Sequence, residues 1–74
     1  MNVTFTLRKT KRSRWEIVAE IEEAGTVRIW RSEQQPAKRE FESVVYAAMA
    51  GMSAMANIVG LKMEIKAVWP EVEK

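Results

Sequence analysis

The sequence predicts an α+β domain of order β-β-β-α-β, an antiparallel meander with one long helix packed on one sheet face. Three observations carry that prediction. Apolar and polar residues alternate, as half-buried strands require, in three early segments. Eighteen uncharged residues follow, Ser43 to Gly60, whose apolar positions recur at helical spacing. Alternation then returns in "LKMEIKAVW".

The first strand is "NVTFTLR", with Val3, Phe5 and Leu7 on one face and Asn2, Thr4, Thr6 and Arg8 on the other. "KTKRS" reads as a polar hairpin loop. "RWEIVAEIE" resumes the pattern, placing Trp15, Ile17, Ala19 and Ile21 inward and Glu16, Val18, Glu20 and Glu22 outward. "EAG" is a turn, in which Gly25 is free to take positive φ. "TVRIWR" is the third strand, with Val27 and Ile29 inward and Arg28 and Trp30 outward. Links this short join antiparallel neighbours.

Pro36 suits the start of a helix, where its missing N–H matters least, with Ser32 or the Gln34–Gln35 pair as caps. The helix is expected from about Ala37 to Val59, and Gly60 is its left-handed terminator. Phe41, Val45, Ala48, Met52, Met55 and Val59 form the core stripe. Ser43, Tyr46, Ala50, Ser53 and Asn57 form a solvent-side stripe that is only weakly polar and carries no charge. A fourth strand places Leu61, Met63, Ile65, Ala67 and Trp69 against Lys62, Glu64, Lys66 and Val68, and Pro70 closes it.

Eighteen uncharged residues reach the lower limit of a membrane span. Ala, Gly, Ser and Asn dominate them, Leu is absent, and the strands need this helix as their core partner, so no membrane span is expected. Two readings of the helix stay open. Small residues at Ala47, Gly51 and Ala54 let it sit close to the sheet, with Met filling gaps. Alternatively the uncharged stripe through Tyr46, Ala50, Ser53 and Asn57 is covered by a second copy or by another protein.

The 74 residues contain no Cys, no His and no Asp; all ten acidic residues are Glu. Triads, thiolate nucleophiles, His bases and the usual zinc, haem and iron–sulfur ligand sets therefore have no residues to build them. A Glu pair could still do acid–base work, but so short a chain has little room for a water-excluding cleft. The expectation is a non-enzyme with no cofactor or metal. A domain of this size buries only about 60% of its unfolded surface. Without disulfides or metal, self-association is the remaining supplement. The N-terminus alternates too early for a signal peptide, and a cysteine-free chain fits the cytoplasm.

Net charge is +2, but it is segregated. Arg8, Lys9, Lys11, Arg12 and Arg14 fall within the first 14 residues with no acid, and Glu16, Glu20, Glu22 and Glu23 follow directly. Five cations in a hairpin repel one another unless an anion joins them, which makes them a candidate footprint for phosphate. The outer sheet face should add Thr4, Thr6, Arg28 and Trp30, plus Lys62 and Lys66 if the last strand lies at an edge. Arg beside an exposed Trp suits phosphate contact with base stacking. The bland counterpart is an ordinary solvated loop and a face on which Glu16 and Glu20 pair with Arg28.

The run "REFESVVYAAMAG…GLKMEIKA" resembles the helix and following strand of ribonuclease H-like proteins, and the preceding meander extends the likeness over nearly the whole chain. The resemblance implies that Glu40 or Glu42 stands where that family's helix glutamate sits. The family's other metal ligands are strand aspartates, for which "FTLR" and "EIKAVW" have no counterpart. What is implied is a truncated, non-catalytic ribonuclease H-like domain, as in antitoxins of the HicB type and some small phage inhibitor proteins. A second resemblance, in "RSRW…AEI", "RIW" and "YAA", is to the three-stranded-sheet DNA-binding domains of ethylene-response factors and phage integrases; here Trp15 to Glu20 is one residue shorter.

The expected function is a small non-enzymatic binding module acting on nucleic acid, or on a nucleic-acid-processing protein, through Arg8, Lys9, Lys11, Arg12, Arg14, Arg28 and Trp30. A homodimer through the helix accompanies it. The alternatives are a phage-type, anti-defence inhibitor that blocks a protein, and a catalytically dead dimerisation domain.

Overall fold

The computed structural model describes residues 1–70. Its elements are β1 (Asn2–Lys9), β2 (Trp15–Ile21), β3 (Gly25–Ser32), α1 (Lys38–Val59) and β4 (Glu64–Val68). The sheet order is β3-β2-β1-β4, with the first three strands an antiparallel meander. Because α1 crosses the sheet before β4 begins, β4 adds parallel to β1, giving a mixed α+β sheet. It is shorter than the alternation implied, since Leu61, Lys62 and Met63 lie before it.

The core forms between sheet and helix from Val3, Phe5, Leu7, Ile17, Ala19, Phe41 and Val45. Phe5 and Ile17 are fully inaccessible, and the Phe41 ring meets Trp69 edge-on with centroids 5.3 Å apart. Edge-to-face pairs of this kind add about 0.5–1.5 kcal/mol beyond the area they bury. Most of the close packing lies under the N-terminal half of α1.

Four readings of the sequence need correction. The first concerns β3, where the register slips by one residue beside Ile17 and Val18: Ile17 pairs with Trp30, and Val18 with Arg28. Ile29 is the extra residue of a β-bulge. Trp30 therefore shares the core face with Ile17 and packs against the core rather than outward, while Arg31 moves outward opposite Glu16. Strict alternation would have driven Arg31 into the apolar layer, and burying an unpaired charge costs far more than one bulge.

The second correction is the helix start. Ala37 is the N-cap and no side chain caps it; the Ser32 hydroxyl instead accepts from the Gln34 N–H at 3.2 Å. The C-terminus is as expected, with Gly60 at φ 71°. Leu61 N–H donates to the Ala56 carbonyl and Gly60 N–H to that of Asn57, the bonding of a Schellman motif.

Third, the helix core stripe ends early. Phe41, Val45 and Ala56 are buried and Ala48, Met49 and Met52 half-buried, but Met55 and Val59 are 71% and 73% exposed. At 1.5 Å per residue, α1 is about 33 Å long and outruns the core beneath it. Fourth, Ala47, Gly51 and Ala54 are all exposed, so they do not let the helix approach the sheet. No helix among the described residues is long and apolar enough to cross a membrane.

Candidate functional site

The sequence's charge segregation becomes a spatial one. β1 ends, β2 begins and β3 ends at the same edge of the sheet, which gathers Arg8, Lys9, the hairpin and Arg31 there. Glu20, Glu22, Glu23 and Glu64 collect at the opposite edge around Asn2, whose Nδ2 donates to Glu22 Oε2 at 2.8 Å. One end of the sheet is basic; at the other these glutamates share the surface with Lys66, opposite Thr4, and with the N-terminal ammonium, which donates to the Lys62 carbonyl.

The hairpin is a tight turn with defined chemistry. Thr10 N–H donates to the Arg14 carbonyl at 2.7 Å, and Ser13 N–H to the Thr10 carbonyl at 3.1 Å. Arg14 N–H also donates to Thr10 Oγ1 at 3.2 Å. Ser13 has φ 59°, the left-handed residue that follows a type I turn in three-residue hairpin loops. Lys11 and Arg12 are consequently the central turn residues, both exposed at the tip. Lys9 differs: its Nζ lies 5.8 Å from the Trp15 ring centroid, on the helix side of the sheet.

On the outer face one carboxylate organises two arginines. Glu16 Oε1 accepts from Arg8 Nε and Nη2 at 3.2 and 3.1 Å, and its Oε2 accepts from Arg28 Nη1 at 3.3 Å. The Glu16 side chain is only 9% exposed, whereas those arginines are 55% and 50% exposed. Burial pushes the Glu16 carboxyl up; the hydrogen bonds and charges of Arg8 and Arg28 outweigh it and hold the group below the usual carboxylate range. Val18, beside it and opposite Thr6 and Arg28, is fully buried although it faces away from the helix. Glu20 stands between Thr4 and Thr26 in the register, and the described residues pair Arg28 with Glu16 alone.

Two cations around one anion leave a net positive charge, to which Arg31 and Arg14 add from either side. Of the seven residues expected to bind nucleic acid, Arg8, Lys9, Lys11, Arg12, Arg14 and Arg28 are brought to this end. Trp30 is at the same end but on the other face. Arg31 was missed, and its signal was present: two bulky apolar residues side by side, "RIWR", cannot both alternate inward without a bulge. With Trp15, Trp30 and Trp69 all half-buried against the core, the outer face has no exposed indole for stacking. Tyr46, Ala50, Ser53 and Asn57 are exposed together on α1, as their stripe required.

Glu40 and Glu42 are exposed at the start of α1, with no aspartate on either neighbouring strand. Among the described residues no group of three acidic side chains is close enough to hold a metal. These residues do not fit a two-metal centre. No protein-family model, curated protein or solved structure matches the chain.

Proposed function

We propose that this chain is a non-enzymatic binding module acting on nucleic acid in the cytoplasm, through phosphate contacts made by the basic end of its sheet. One observation carries the reading: the cations of the hairpin, β1 and β3 share one end, with a single buried glutamate among them. Glu16 holds the Arg8 and Arg28 side chains in fixed directions without cancelling both charges. Exposed Lys11 and Arg12 extend the positive surface beyond the sheet, and Arg31 widens it across β3. Contacts of this type fix a duplex by its backbone and carry no base sequence. The inward position of Trp30 favours backbone binding over single-strand stacking. The order of strands and helix is the one the ribonuclease H-like resemblance implies, and the missing strand aspartates are the ground for proposing a binding role on it rather than a catalytic one.

The test is a salt titration of affinity for a generic DNA duplex. Each phosphate neutralised contributes about −0.9 to the slope of log K against log salt. The double variant Lys11→Ala/Arg12→Ala should reduce the magnitude of the slope by up to about 2 while leaving the fold intact. An unchanged slope would sink the assignment to the hairpin. Negligible binding by the wild type would transfer the reading to its alternative, a small inhibitor that blocks a protein.

A further inference from the structure

The C-terminal half of α1 presents a face that no other described residue covers. Met55 and Val59 point in the direction of the core stripe but extend past the core. Beside them Ala47, Gly51, Ala54 and Ile58 follow 4-3-4 spacing, all exposed, and Ile58 is 83% exposed. This second apolar stripe is distinct from the weakly polar one through Tyr46 and Ser53. It continues into an open groove of about 240 Å³ between the helix end, Met1 and Met63.

We infer that α1 packs across α1 of a second copy along this stripe, with Gly51 near the two-fold axis. Three observations select that occupant. The first is area. The accessible surface is 5791 Å², whereas a folded monomer of 8.5 kDa should expose about 4,700 Å². The surplus, roughly 1,100 Å², is of the size that one side of a standard interface removes, about 800 Å². The radius of gyration agrees: it is 13.0 Å, against about 11.3 Å for a compact chain of this length.

The second is charge. From Ser43 to Gly60 there is no Asp, Glu, Lys or Arg, although charged residues gather at both ends of the sheet. In an isologous contact every group near the axis meets its own copy, so a charge there would repel itself. A face without charges can meet itself, and it offers nothing to phosphate. The third is Gly51. Glycine within a helix costs about 0.5–1 kcal/mol relative to Ala, yet a Cβ at this position would touch nothing within 4 Å. Among the described residues nothing needs the missing Cβ; a closely crossing helix does.

Sedimentation equilibrium on the 74-residue chain, up to about 1 mM, reads the result. Twice the 8.5 kDa chain mass is expected. Ile58→Glu should weaken association on the order of a hundredfold or more, because the dimer would have to bury the charge. Its helix content should be retained, since Ile58 is exposed in the protomer. Ser53→Glu, on the weakly polar stripe, should leave the dimer intact. A wild type that stays at single-chain mass at every concentration overturns the inference. So does a dimer that survives Ile58→Glu, or one that Ser53→Glu dissociates instead.

Discussion

Glu16 stands directly opposite Arg8 in the β1–β2 register, and one of its oxygens accepts two hydrogen bonds from that single guanidinium. Its other oxygen takes Arg28 from the strand on the far side, so a nearly buried carboxylate ties three strands together.

That arrangement sets an acid limit on stability. The folded Glu16 carboxyl titrates below its unfolded value of about 4.3. A group with a depressed folded pKa stabilises above the unfolded pKa, and the contribution is lost as pH falls through the folded one. Stability should therefore decline as pH drops below about 5, with Glu16 contributing through the range down to its folded pKa. Glu16→Gln should be less stable than the wild type at pH 7, and the gap should narrow towards pH 3. Urea midpoints across this range check it; a gap that stays constant with pH would remove Glu16 as the cause.

Helix α1 lacks a cap that its sequence is one substitution from making. Ala37 occupies the N-cap with extended backbone, φ −67° and ψ 156°, and Glu40 already sits three residues on. Ala37→Ser would complete a capping box with Glu40. The expected gain is about 1 kcal/mol, or roughly 4–8 °C in Tm for a domain this size. Adding Glu40→Ala should cancel part of it. A melting point unchanged by Ala37→Ser would show that the helix start is not as described.

The hairpin turn stores a small strain at Ser13, a side-chain-bearing residue at φ 59°. Ser13→Gly relieves about 1–2 kcal/mol of left-handed strain against about 0.4–1 kcal/mol of added unfolded-chain entropy, a net gain of up to about 1.5 kcal/mol. Calorimetry would read this directly. A destabilised variant would mean that the left-handed conformation is not adopted.

Most of the fold was legible because its periodicities are clean. Val3, Phe5 and Leu7 alternate without exception, and Gly60 marks the helix end with a residue suited to positive φ. What was not legible came from tertiary context. A bulge shifts every residue after it to the other face, so reading "TVRIWR" by alternation misplaced Trp30 and left Arg31 out of the basic surface. Periodicity also gives a helix a buried direction but not the length over which something lies beneath it, which is why Met55 and Val59 looked like core. Glu16 was placed outward and paired with Arg28, as it is found; that Arg8 would close on its other oxygen, and that Glu20 would be left out, depended on the strand register.

The last prediction concerns where stability resides. Phe41 is 1% exposed, packs in the core cluster, meets Trp69 edge-on, and belongs to the part of α1 with a core beneath it. Phe41→Ala removes a buried ring and should cost about 3–5 kcal/mol. A domain of this length has on the order of 4–11 kcal/mol in total, so the variant should lose between about a quarter and all of its stability. Phe41→Leu keeps most of the volume and should cost less, about 1.5 kcal/mol. By contrast Val59→Ala, at an exposed helix position, should change protomer stability by no more than about 0.5 kcal/mol. Chemical denaturation followed by circular dichroism, at concentrations low enough to keep the chain monomeric, separates the three. If Val59→Ala cost as much as Phe41→Ala under those conditions, the helix end would have to be packed within the protomer, and the uncovered face would not exist.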